Sequence, residues 1–174
     1  MKTTLQDLKD RRSVRAYKPE QIKDEALEAI LEAGTFAPTG GGSQSPVIVV
    51  VQDSALIEQI EKLNERVLNR PSSHPFFGAP TLLNILVDKT KPTPVEDGSL
   101  VIGNLLNAIA ALGLGGCWIH RAKEVFASPE GQFLLRKWGL GEQYIGVGHC
   151  IVGYPAGPLP IAAPRKDNYI IRGN

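Results

Sequence analysis

Arg11–Tyr17 reads RRSVRAY, with Arg11, Arg12 and Arg15 crowded around Ser13 near the start of the chain. In an extended conformation side chains alternate, so Arg11, Ser13 and Arg15 share one face while Arg12 and Val14 take the other. The first face then carries two guanidinium forks and a hydroxyl, a set suited to a phosphate or another planar anion. The same run equally fits a solvated basic cluster, or a nucleic-acid or localisation patch. The overall charge bears on that choice: 19 basic against 18 acidic side chains leaves a net charge of +1. Proteins that grip nucleic-acid backbone carry a larger basic excess. The cluster is therefore local, which favours a small anionic ligand over a polymer.

The length of 174 residues suits one domain, residues 1–174, able to bury roughly two-thirds of its unfolded surface. A chain that is 43% hydrophobic and 21% charged reads as globular and excludes wholesale disorder. Cys117 and Cys150 are too few for a disulfide framework. The opening MKTTLQDLKD has no apolar core and is not a secretory signal. The longest apolar region, Leu100–Leu114, is broken by Gly103, Asn104 and Asn107 and falls short of the roughly 18 residues of a membrane span. These features predict a cytoplasmic, reduced protein with no membrane or nucleic-acid partner.

Outward from the arginines, Thr4 with Asp7 approximates a capping box for a short helix edged by Leu5 and Leu8. After the arginines, Asp24 is read as the cap of a helix with a Leu27, Ile30, Leu31 stripe and Gly34 as its stop. Ala37–Pro46, APTGGGSQSP, is a loop whose three glycines allow close backbone approach to a ligand. Val47–Val51 is an unbroken β-branched run, as in a buried strand. Asp53 starts a helix with Leu56, Ile60, Leu63 and Val67 on one side, and Thr81–Val87 is a second strand. Past the turn KPTPVEDGS, a helix from about Ser99 to Leu112 is apolar nearly all round and predicts a subunit interface. GLGGCWIHR, Gly113–Arg121, ends it and starts a strand; Ser128, Pro129 and Gly139 bound another helix; Tyr144–Tyr154 is the last strand. The proline-rich tail 155–174 has no core of its own and suits wrapping around a partner.

Several chemistries are poorly matched. The glycines at 40–42 lack the Gly-Lys-Ser/Thr of a Walker loop, and GLGGCW lies at a helix end without the third glycine of a dinucleotide fingerprint. Cys117, His120, His149 and Cys150 invite a zinc reading, but His149 and Cys150 are adjacent and face opposite ways on a strand. No metal site is expected. Neither cysteine sits where its pKa would be lowered for nucleophilic attack, and no Gly-x-Ser-x-Gly elbow is present.

Taken in order, RRSVRAY, APTGGGSQSP, FFGAP, GLGGCWI and VGYP resemble the nitroreductase family, flavoenzymes that bind FMN and use NADH or NADPH. The resemblance implies an α+β fold: a central, mainly antiparallel sheet flanked by helices, in an intertwined homodimer with FMN in two interface clefts. It implies that Arg11, Arg12 and Ser13 hold the phosphate and ribityl chain, with Arg15 at the pyrimidine edge of the ring. There a fixed guanidinium would stabilise the charge left by two-electron reduction. Pro38, Thr39 and Gly40 match the turn beside the ring that the other subunit typically contributes, and Gln44 matches the family glutamine. Trp118, Ile119 and His120 match the backbone along the reactive side; core packing accounts equally well for the first two, and plain structure for His120, which is otherwise a candidate proton donor. Arg165 and Lys166 match a basic pair that returns to the phosphate, or else are solvated tail charges.

Two departures stand out. Gly42, Ser43, Ser45 and Pro46 occupy places where the family often has Asn, Arg, Pro and Trp, and His120-Arg121 replaces a common Glu-Gly. The first predicts weaker flavin binding and the second an altered substrate range. The implied activity is ping-pong electron transfer from NADH or NADPH through FMN to a small-molecule acceptor, a nitroaromatic, a quinone or a similar electron-poor compound. Two alternatives are an FMN store or sensor with little turnover, and a nucleic-acid module built on Arg11, Arg12, Arg15 and Lys18.

Overall fold

A computed structural model describes residues 4–173 of the chain. Helix α1 (Thr4–Asp10) leads into the arginine segment, followed by α2 (Asp24–Thr35), a single 3₁₀ turn at Gly40–Gly42, and strand β1 (Val47–Val51). Then come α3 (Ser54–Leu68), β2 (Thr81–Asp88), α4 (Pro94–Ala111) and β3 (Gly115–Ile119). The chain finishes with α5 (Ala122–Ala127), α6 (Pro129–Lys137) and β4 (Tyr144–Gly153). The four strands form one sheet in the order β1-β2-β4-β3, and every pairing is antiparallel. The α+β expectation holds.

The sheet carries helices on both faces. Leu83, Ile85 and Val87 of β2 point to one face with Ile30 of α2 and Ile102, Leu105 and Ile109 of α4. Leu82 of β2 points the other way, to Ile60 and Leu63 of α3 and Val125 of α5. This is the period of two that a strand imposes, and both sides are apolar because both are covered. β2 is accordingly buried from Thr81 to Val87.

Some expectations need correction. β1 is not a buried strand: it pairs only with β2 at the sheet edge, and of its five residues only Val51 is buried. A β-branched run reports strand preference, not position within the sheet. Gly34 does not stop α2. It lies inside the helix, where a Cβ would come within 2.7 Å of Leu105 Cδ2, so its role is close approach to α4. Asp24 is the first residue of α2, and the N-cap is Lys23. The turn read in KPTPVEDGS is already the first part of α4, which starts at Pro94 with Glu96 and Asp97 in its opening turn. Within one chain α4 leaves Leu100 and Leu112, at its C-terminal end, exposed. Val67 of α3 is exposed too, and the short helix α5 was absent from the sequence reading. Asp53 and Ser128 do cap α3 and α6, accepting from the Leu56 and Gly131 N–H groups.

One polar pair sits in the core. Asn84 of β2 faces His149 of β4, both fully buried, with Nδ1 2.7 Å from Asn84 Oδ1. The amide nitrogen of Asn84 donates to the Val49 carbonyl, so its oxygen is the acceptor and Nδ1 carries the proton. Nε2 has no partner and lies among the rings of Phe76 and Phe126, at centroid separations of 5.3 and 5.7 Å. Burial, helped by the positive charge of Arg121, pushes the His149 pKa down to about 3. Folding therefore requires the neutral imidazole. Its contribution is complete above the ordinary histidine value of 6.5 and is lost as pH falls from there towards 3. Unfolding free energy should drop below about pH 6.5, by up to about 1.4 kcal/mol per pH unit from this group. Replacing both partners (His149→Phe with Asn84→Leu) should flatten that dependence in denaturant titrations across pH 4–7. An unchanged slope would show that other groups carry it.

Candidate functional site

The arginine segment is held by the edge strand β3. Ser13 bridges Gly116 in parallel register, and the Val14 N–H donates to the Gly116 carbonyl at 3.1 Å. Val14 is buried against Gly115, where a Cβ would stand 2.9 Å from that of Val14. No larger residue than glycine fits there without moving the arginines. Further along, Tyr17 bridges Pro155, and the Lys18 N–H donates to the Tyr154 carbonyl at 2.9 Å. The Tyr17 hydroxyl donates to the Val14 carbonyl at 2.7 Å, and burial raises its pKa well above the ordinary phenol.

Two clefts open at the ends of this short ladder. One, of about 650 Å³, is lined by Lys9, Arg11, Arg12, Ser13 and Arg165 together with apolar tail residues and, among the described residues, no carboxylate. The strict alternation expected for the arginines fails at Arg12. Its Nη1 turns back to the Lys9 and Arg11 carbonyls at 2.6 and 2.8 Å, capping the C-terminal end of α1. Its backbone position still brings it to the same cleft as Arg11 and Ser13, and its buried Nε has no partner. Arg165 reaches this cleft from the tail. Lys166 does not line it and lies over the Tyr169 ring, 5.4 Å from the centroid.

The other cleft, of about 400 Å³, is lined by Arg15, Trp118, Ile119 and His120, joined by Phe77, Arg70 and Arg121. Ile119 is buried in the core, and Trp118 is half-buried against it, so both pack and line the cleft. His120 is exposed. Asn64 of α3, fully buried, donates to the His120 carbonyl and accepts from Arg121 Nε, each at 2.9 Å. Asn64 and Arg70 were not singled out in the sequence; nothing local separates them from other polar residues near the end of α3.

Pro38, Thr39, Gly40 and Gln44 are not brought to these clefts. They precede β1, which lies at the sheet edge opposite β3 with β2 and β4 between. Thr39 and Gln44 line a separate hollow of about 320 Å³ with Leu31, Ala37 and Ile48. Gly41 and Gly42 both have positive φ, at 60° and 69°, a pair that side-chain-bearing residues rarely adopt. The loop is anchored by Asp97, whose Oδ1 accepts from the Gly40 N–H and the Thr93 hydroxyl, each at 2.9 Å. Asp97 is 2% exposed, and its second oxygen has no partner. Its place in an acidic first turn after Pro94 was the signal available in the sequence.

Cys117 and Cys150 are both buried and unpaired in a disulfide. Burial raises the Cys150 thiol well above its ordinary pKa, the opposite of what a nucleophile requires. No group of three or more metal-ligating side chains occurs among the described residues.

The nitroreductase family model matches residues 8–76. An Archaeoglobus fulgidus relative, provisionally named an NADH dehydrogenase/NAD(P)H nitroreductase, is 28% identical over 159 residues, which span 89% of this chain and 87% of that one. A nitroreductase from Bacteroides fragilis with bound FMN has a TM-score of 0.89 and 27% identity, with 100% of both chains covered. A second FMN-bound nitroreductase, from Desulfitobacterium hafniense, has a TM-score of 0.86 at 25% identity, covering 99% of this chain and 100% of that one. The fold is that of the nitroreductases. The chain is related to that family in sequence over residues 8–76 and in fold from end to end.

Asp97→Ala should release the Gly40 loop and cost about 1–3 kcal/mol in denaturant unfolding, because two donors lose their acceptor. Asp97→Asn keeps one acceptor oxygen and should cost less. Equal stability of Asp97→Ala and the unmodified protein would remove the loop anchor.

Proposed function

We propose that the protein is an FMN-dependent oxidoreductase that takes electrons from NADH or NADPH and passes them to a small electron-poor acceptor. The observation that carries this reading is the pair of clefts at the two ends of the Ser13–Gly116 ladder. One is cationic, with no carboxylate among the described residues that line it, which suits a phosphate; the other has an arginine and aromatic walls, which suits a flat ring. The donor set of Arg11, Arg12, Ser13 and Arg165 fits the phosphate end of FMN. Arg15, Trp118, Ile119 and His120 fit its ring end. The names of the relatives and the FMN bound in the similar structures support the same reading.

When bound, FMN supplies the redox chemistry, taking a hydride from the nicotinamide and delivering electrons to the acceptor. The chain's own part is placement and charge. Arg11, Ser13 and Arg165 would hold the phosphate, and Arg15 would stabilise negative charge on the pyrimidine edge of the ring. Trp118 and Ile119 keep the ring's floor rigid because they also belong to the core. His120, exposed at the mouth of the cleft, is placed to exchange protons with water or acceptor. One cleft serves donor and acceptor in turn, so the kinetics are ping-pong. Nitroaromatics and quinones are the acceptor classes.

The reading includes a homodimer. Pro38, Thr39, Gly40 and Gln44 are distant from the arginines of their own chain, and a second chain would supply them. The tail exposes Ile161, Ile170 and Ile171, at 97, 79 and 85% of their surface, and α4 exposes Leu100. Such apolar area is covered when two copies embrace. Sedimentation of the purified protein should give twice the chain mass of 18.8 kDa.

The first experiment is a visible absorption spectrum, repeated anaerobically after adding NADH and then NADPH. A flavin band that bleaches supports the oxidoreductase, and the faster donor is the preferred one. A band that persists supports a flavin store or sensor, to which the substituted loop around Gly42 lends weight. No band after reconstitution with FMN would overturn the cofactor reading. Arg11→Ala and Arg165→Ala should each weaken FMN binding about tenfold or more in fluorescence titrations. Unchanged affinity in both would move the phosphate elsewhere.

A further inference from the structure

The cleft beside Trp118 holds more positive charge than a flavin edge requires. Arg15, Arg70 and Arg121 all line it, and no aspartate or glutamate does. With Arg15 assigned to the flavin, Arg70 and Arg121 have no role in the proposed electron transfer.

The Arg121 side chain is tethered from behind, and the backbone that carries Arg70 is held in place. Arg121 adopts a left-handed backbone, with φ of 78°, a conformation unfavourable for a long side chain and one that recurs at ligand clamps. Its Nε donates to Asn64, whose amide also holds the His120 carbonyl. The tether uses Nε and leaves both Nη amino groups for a ligand. Arg70 follows the left-handed cap Asn69 of α3, and its N–H donates to the Glu65 carbonyl at 3.2 Å. The loop beyond it is pinned by two carboxylates of α3. Glu65 accepts from the His74 N–H at 2.8 Å and Glu61 from the Phe76 N–H at 2.6 Å. These acids are largely buried, turn to the loop backbone and to the His74 ring, 3.5 Å from Glu61 Oε2, and do not line the cleft. Phe77, carried on the same loop, faces the cleft with Trp118 and gives it apolar walls.

We propose that this cleft selects an aromatic acceptor bearing a carboxylate or a similar anion, with Arg70 and Arg121 as specificity-determining residues. The proposal rests on the flavin reading above for the place of Arg15, and it names the substrate class of that site. The Arg121 guanidinium, tethered through Nε, loses little freedom on binding, and a planar carboxylate matches the forks of both arginines. A neutral ring of the same shape gains only the apolar contacts.

The test uses the redox-inert pair benzoate and benzamide, which share shape and differ in charge. Calorimetric titration of each into the FMN-loaded protein and into the ligand-free protein gives two affinity ratios. Benzoate should bind about tenfold tighter than benzamide, as expected for a hydrogen bond to a charged group. The preference should shrink in Arg121→Gln and in Arg70→Gln, disappear in the double variant, and weaken with salt. Arg70 is exposed, so Arg70→Gln stands as the safe variant if Arg121→Gln unfolds. Equal affinities in the unmodified protein, or a preference that survives both substitutions, would overturn the proposal. Failure to take up FMN is a separate result that overturns the flavin reading; the anion pocket is then decided on ligand-free Arg15→Gln protein, where the benzoate preference should still depend on Arg70 and Arg121.

Discussion

Contact between Val14 and the bare backbone of Gly115 is the constraint on which the rest of the site depends. β3 is an edge strand, and its free side pairs with an irregular segment, not a regular strand. Val14 seals that segment to the sheet while Arg11, Arg12 and Ser13 stay half-buried and Arg15 is exposed. Burial of one apolar side chain, worth about 1.5–3 kcal/mol, therefore holds three arginines that would repel one another if free. A similar economy appears on the other side of the molecule, where Asp97 fixes a run of three glycines that has no side chains with which to fix itself.

How far the sequence could be read depended on where information is stored. Apolar periodicity is local, so α3, β2 and β4 were found close to their observed bounds. Caps formed by Asp53 and Ser128 are equally local, and both hold. β1 failed because its place at the sheet edge is decided by what pairs beyond it. Gly34 failed because a glycine that stops a helix and one that lets a neighbouring helix approach look alike in sequence. The start of α4 is hidden because proline signals a turn as readily as the first turn of a helix, the place Pro94 takes.

For the candidate site, Arg11, Arg12, Ser13, Arg15, Trp118, Ile119, His120 and Arg165 fall on the two clefts as their order in the chain suggested. Lys166 does not, and Pro38, Thr39, Gly40 and Gln44 lie across the sheet. Asn64, Arg70 and Asp97 are tied to their partners by contacts over long sequence separations. Asn64 meets Arg121 across 57 positions, a pairing no local pattern can announce.

The strand order also governs how the molecule is made. β4 comes last in the chain yet sits between β2 and β3. Until residues 144–153 are synthesised, β2 can pair only with β1, and its other edge, an apolar run from Thr81 to Val87, has no neighbour. β3 at that stage has no strand beside it at all. A growing or truncated chain thus presents an open, flat, hydrophobic edge, the kind of surface that recruits other strands. Insertion of β4 closes it, so the sheet is complete only once β4 has joined. Chain ends shortened into β4 should accumulate as aggregates, not as partly folded monomers.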